Sequence, residues 1–117
     1  MEDVLLAFVA PPTEDPAIEI RVNFGVFAGR SATPAEIDTL AHALLGEIED
    51  VTIVAEDRHE VDAAVEAAVH QVRIEVSAAA APTDAAERRE LAERLRERAE
   101  QWARACVAAR HYDAADL

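Results

Sequence analysis

The clearest alternation in the chain runs from residue 17 to residue 27. Ile18, Ile20, Val22, Phe24 and Val26 alternate with Glu19, Arg21, Asn23 and Gly25, which predicts a strand with one aliphatic face inward and one polar face outward. Val51, Ile53 and Ala55 set against Thr52, Val54 and Glu56 predict a second strand, and Val72, Ile74 and Val76 set against Gln71, Arg73 and Glu75 predict a third. Residues 57–68 between them fit two patterns. Val61, Ala64, Val65 and Ala68 suit a short helix, whereas Val65, Ala67 and Val69 suit a strand whose phase slips by one before Val72, as a bulge would cause. A long hairpin is preferred, because so much Ala creates a helix-like pattern by chance. The apolar run at residues 4–9 suits either a buried strand or a helical turn, and Pro11, Pro12 and Pro16 then make a connector.

Two helices are written with their starts. Thr33-Pro34-Ala35-Glu36 is a capping box with Pro at the first helical position, followed by Ile37, Leu40, Ala41, Leu44 and Ile48 at helical spacing. Residues 83–112 form a longer amphipathic helix. At about 100° per residue, Leu91, Leu95, Ala99, Trp102, Cys106 and Ala109 share one face, and Glu93, Glu97, Glu100, Arg104 and His111 lie opposite. Asp84 and Glu87 place negative charge at the positive end of its dipole.

These elements predict an α+β fold: a two-layer sandwich in which a mostly antiparallel sheet of three to four strands carries two helices on one face. The order is β-β-α-β-β-α with a long C-terminal helix, in a single domain spanning residues 1–117. The expected core comprises Ile18, Ile20, Val22, Phe24, Ile37, Leu40, Leu44, Ile53, Ile74, Leu91, Leu95 and Trp102. In element order the chain resembles the broad group of ferredoxin-like and dimeric α+β sandwiches, provided that residues 4–9 supply the strand such folds place after the last helix. A likeness of that kind implies a fold and no activity.

Composition thins this core. Of the 117 residues 51% are hydrophobic, but 27 are Ala and only five are aromatic. The net charge is −13, and residues 1–82 hold 16 acids against four Arg. Nucleic acid and anionic membranes are therefore not expected as partners, since both are bound by clustered cations. The Arg residues of the last helix do not change this, because Glu90–Arg94 and Glu100–Arg104 are spaced for self-neutralisation. Cys106 is the single cysteine and lies on the apolar stripe, so a structural thiol is expected, and no disulfide. With no export signal and no long apolar run, a soluble cytoplasmic protein is expected.

Candidate chemistry is sparse. In the run from Glu56 to Asp62, Asp57 and His59 would share one face of a strand and are ligand types for a divalent metal, although most charge runs are solvated surface. On the outward sheet face, Arg21 and Asn23 with Arg73 and Glu75 could hold a small polar ligand. His70 is a further ligand-binding candidate, although it has the parity of the inward Val72 and Ile74, which suits a core or strand-edge histidine. The plain alternative for the face is cross-strand pairing of opposite charges. No nucleophile is paired with a base, and there is no Gly-rich phosphate loop, so no catalytic residues and no cofactor are expected.

The leading expectation is an interaction or regulatory module that associates with itself or an unknown protein. The alternative is a ligand-binding or enzymatic α+β dimer that uses the polar face. Self-association rests on a mismatch of lengths. A helix from Asp84 to Tyr112 spans about 43 Å and a six-residue strand about 20 Å, so one sheet leaves half the helix uncovered. A homodimer burying Leu95, Ala99, Trp102, Cys106 and Ala109 is preferred over the N-terminal run folding across that half.

Overall fold

The computed structural model describes residues 5–11, 13–30, 32–61 and 66–116, with the side chains of 56–70 and 109–116 left aside. Its elements are β1 (Ala7–Val9), β2 (Ile18–Val22), α1 (Phe24–Ala28), α2 (Pro34–Leu45), β3 (Thr52–Val61), β4 (Glu66–Val76) and α3 (Ala85–Asp116). The four strands form one antiparallel sheet in the order β1-β2-β4-β3. The run at residues 4–9 thus contributes a strand, which takes the edge beside β2.

β2 and β4 are central and pair from Ile18↔Val76 to Val22↔Val72. Their inward residues Ile18, Ile20, Val22, Val72, Ile74 and Val76 are all buried. Against them pack Leu40 and Leu44 of α2 and the α3 stripe of Leu91, Leu95, Ala99, Trp102 and Ala103. Each large aliphatic side chain so buried is worth about 1.5–3 kcal/mol, which is what fixes the helices to this face. Ile37 and Ile53, also expected in the core, pack against its margin.

The helix starts follow the sequence closely. The Glu36 backbone N–H donates to Thr33 Oγ1 at 3.2 Å, and the Thr33 backbone N–H donates to Glu36 Oε1 at 2.9 Å, completing the capping box with Pro34 behind it. Asp84 accepts from the Glu87 backbone N–H at 3.0 Å at the entrance to α3.

Two local expectations are corrected. The alternation through Phe24 and Val26 does not continue as strand: β2 ends at Val22, and residues 24–28 form α1. Gly29 closes α1 in the left-handed conformation at φ 72°, its N–H donating to the Gly25 carbonyl at 2.8 Å. Phe24 and Ala28, four apart, are buried, and Val26 is exposed. Residues 52–61 and 66–76 form a hairpin, without a bulge. The pairing runs unbroken from Thr52↔Glu75 to Val61↔Glu66, so no phase slip occurs before Val72. Residues 62–65, part of the short-helix alternative, lie outside the described residues. No described helix is long and apolar enough to cross a membrane.

Candidate functional site

Three places in this fold bring polar or unusual groups together. The first is the outer face of the sheet. The β2–β4 register sets Glu19 opposite Glu75 and Arg21 opposite Arg73, so like charges face each other across the strands. Pairing of opposite charges across the strands, the simplest account of this face, therefore fails. The ion pairs run along each strand instead, Arg21 Nε to Glu19 and Arg73 Nη1 to Glu75 Oε2 at 3.6 Å. Directly opposed like charges are destabilising, and these two intrastrand pairs offset the repulsion.

Asn23, expected on this face as a ligand contact, is 9% exposed. Its Nδ2 donates to the Leu5 carbonyl at 2.8 Å, and its Oδ1 accepts from Gln71 Nε2 at 2.9 Å. It thus joins the segment before β1, the start of α1 and β4. Gln71 is equally buried, and its Oε1 has no hydrogen-bond partner among the described residues. The sequence showed Gln71 as an outward strand residue; its pairing with Asn23 depends on register and was not visible.

The second place is a polar hub at the start of α2. Glu36 receives Arg30 in a two-pronged contact, Nη1 to Oε1 at 2.7 Å and Nη2 to Oε2 at 2.8 Å. The Arg30 guanidinium lies 5.5 Å from the centroid of the Phe24 ring, and that ring lies 5.2 Å from Trp102. The bond to Arg30, followed by those to Thr33 and Cys106, holds the Glu36 carboxyl down at about 2 in spite of its burial. Burial, and then the neighbouring Glu36 carboxylate, push the Cys106 thiol up to about 12. A thiol held protonated in this way is a poor nucleophile. Beside it, a groove of about 410 Å³ is lined by Glu36, Thr39, Arg98, Trp102 and Cys106 among others. In the sequence Glu36 is legible only as part of the helix cap, because no spacing rule links it to Arg30 six residues away.

The stripe expected to meet a second copy is covered from within. Leu95, Ala99, Trp102 and Cys106 are all buried in the single chain, and α1, α2 and β1 all pack on α3. The half of α3 beyond the sheet is covered by α1, whose residues fit a strand pattern in the sequence, and by α2: Phe24 packs on Trp102, and the Glu36 carbonyl accepts from its indole N–H. The side chain of Ala109 lies outside the described ones.

The third place is the hairpin. β2 pairs with β4 only as far as Val72, yet β3 and β4 continue for six further pairs, from Glu56↔Gln71 to Val61↔Glu66. This two-stranded arm carries Asp57 and His59 on β3 and His70 on β4; the register places them, and their side chains lie outside the described ones. Among the described residues no group of three or more His, Cys, Asp or Glu could hold a metal ion.

No family model, curated protein or solved structure matches this chain.

Proposed function

We propose that the protein is a small interaction module without catalytic machinery, and that the β3–β4 arm is its contact element. The observation that carries this is the run of six residue pairs beyond the end of β2. A two-stranded ribbon is marginal in water and gains by packing on something else; α1 packs on β4, but β3 lies at the margin of the sheet, and its outer backbone edge is a template for a partner. The chemistry of the arm indicates the partner. Residues 56–70 hold five acids against one Arg, in a chain of net charge −13, so a basic protein surface is the complementary occupant. The polar hub supports the absence of catalysis: its carboxylate is saturated by Arg30 and its thiol is held protonated. The strand order, with β1 at the edge where a ferredoxin-like sheet has its last strand, suits a role of this kind without specifying it.

The test is a shortened hairpin in which residues 57–70 are replaced by Asn-Gly, joining the paired residues Glu56 and Gln71 by a two-residue turn. The shortened protein should keep its thermal transition and lose salt-sensitive capture of basic proteins. Capture of the same proteins by both forms would overturn the assignment to the arm. A wild type that sediments as a dimer, with a monomeric shortened form, would make a second copy the partner.

A second reading rests on the buried Gln71 Oε1, an acceptor without a donor among the described residues. A small polar ligand on the outer sheet face, offering an N–H to Gln71 and an anionic group to Arg21 and Arg73, would satisfy it. At 100 times its Kd such a ligand adds about 2.7 kcal/mol of stability. A panel of amino acids and other metabolites giving no thermal shift removes this reading and leaves the arm untouched.

A further inference from the structure

The sheet register arranges charge on the outer face in two rows. Phe8, Arg21, Arg73 and Val54 lie side by side across the four strands, and the next row along the strands holds Glu19, Glu75 and Thr52. α2 and α3 pack on the opposite face. The four charged side chains keep between 14% and 35% of their surface exposed in the single chain. We propose that this face is the contact surface of a symmetric homodimer, in which the arginine row of each copy lies over the carboxylate row of the other.

The pattern is self-complementary under one symmetry operation. Alternate residues of a strand share a face about 7 Å apart, which is the separation of the two rows. A two-fold axis between stacked faces, perpendicular to the strands and midway between the rows, exchanges one row for the other. It sets Arg21 over the partner's Glu19 and Arg73 over the partner's Glu75, and by symmetry the reverse, so four arginine–carboxylate contacts form. Packed sheets lie about 10 Å apart, a gap that one arginine and one glutamate together bridge. Within one copy Arg21 faces Arg73 and Glu19 faces Glu75, an opposition that costs stability. In the dimer each of these groups gains an opposite charge from above.

Phe8 and Val54, both partly exposed, end the arginine row and give the contact an apolar margin. Four strands at about 4.8 Å span only about 19 Å, which puts the interface at the small end of specific ones and the Kd in the micromolar range. Each copy carries a net charge of −13. At physiological salt, charges more than about 8 Å apart are largely screened, so the opposed rows outweigh the repulsion of the whole chains. A second copy would occupy the place of the small polar ligand considered above. The inference does not depend on the arm, since residues 57–70 take no part in it.

The experiment is sedimentation equilibrium of the full chain up to high micromolar concentration, at physiological salt. Wild type should dimerise, and the Arg21→Gln/Arg73→Gln variant should do so at least about tenfold more weakly. A fourfold exchange, Glu19→Arg/Arg21→Glu with Arg73→Glu/Glu75→Arg, keeps an ion pair along each strand and swaps the rows. It should dimerise with itself, because the swapped face is again self-complementary. Mixed with isotopically labelled wild type, it should form no heterodimer in native mass spectrometry, because like rows would then meet. The protein with its hairpin shortened at residues 57–70 should dimerise as wild type does, which separates this contact from one made by the arm. Thermal transitions matching wild type show that the variants are folded. A wild type that stays monomeric at high micromolar concentration would overturn the proposal. So would a dimer indifferent to Arg21→Gln/Arg73→Gln, or free exchange between wild-type and row-swapped chains.

Discussion

The Trp102 indole N–H donates to the backbone carbonyl of Glu36 at 2.8 Å, tying the middle of α3 to the first turn of α2 while the same ring packs on Phe24 of α1. Three helices therefore meet at one side chain. Trp102 is only 5% exposed, so Trp102→Ala should cost about 3–5 kcal/mol in denaturant unfolding. Trp102→Phe keeps most of the ring, loses the donor, and should cost about 1–2 kcal/mol. A cost below about 0.5 kcal/mol for both would mean that this junction does not hold the helices together.

The carboxyl of Glu36 at that junction makes stability depend on pH. Its folded value, about 2, is depressed below the ordinary 4.5 mainly by the bond to Arg30. A depressed carboxylate contributes stability that is fully present above its unfolded value, and the contribution is lost as pH falls from about 4.5 through about 2. Wild type should exceed Glu36→Gln in stability by on the order of 1 kcal/mol near neutral pH, allowing for solvent screening. Denaturant midpoints of the two proteins should converge near pH 2. A gap that stays constant down to pH 2 would assign the effect to shape and not to charge.

Burial beside that carboxylate also protects Cys106. With its thiol pushed up to about 12, almost none of it is thiolate at pH 8, and the side chain is enclosed. A disulfide reagent should therefore modify the native protein at least about a hundredfold more slowly than the protein unfolded in guanidinium, where the thiol returns to about 8.5. Equal rates in the two states would show that α2 and α3 open readily at this point.

What the sequence disclosed and what it hid divide along a physical line. The inward faces of β2 and β4, the capping box at Thr33 and the α3 stripe are local periodicities, and each is present among the described residues, β2 as far as Val22 and the stripe as far as Cys106. α1 was hidden because its five residues are too few for a helical period to emerge, while Phe24 and Val26 prolong by accident the alternation of β2. The decisive signals were the punctuation around them, Asn23 before and Gly29 after. The unbroken arm ladder was hidden by apolar residues on the other phase, Ala67 and Val69, which suggested a bulge. The hub was hidden for a different reason. Glu36 meets Arg30 six residues away and Cys106 seventy residues away, and no spacing rule reaches that far. The placement of Asp57 and His59 on one face was legible, and only the register could add His70.

Two glycines give opposed predictions from backbone geometry alone. Gly46, after α2, has φ −69° and ψ −19°, and a Cβ added there meets nothing within 4 Å. Gly46→Ala therefore keeps the native conformation while restricting the unfolded chain, and should stabilise by about 0.4–1 kcal/mol. Gly29 has φ 72°, in the left-handed region where a Cβ collides with the backbone, and its N–H closes α1 onto Gly25. Gly29→Ala should destabilise by on the order of 1 kcal/mol. Because α1 places Phe24 against Trp102, loss of this closure should also shift the indole fluorescence, which Gly46→Ala should leave unchanged. Thermal unfolding of both variants checks the signs. Two shifts in the same direction would refute the conformational assignment of Gly29, and with it the short helix that covers Trp102.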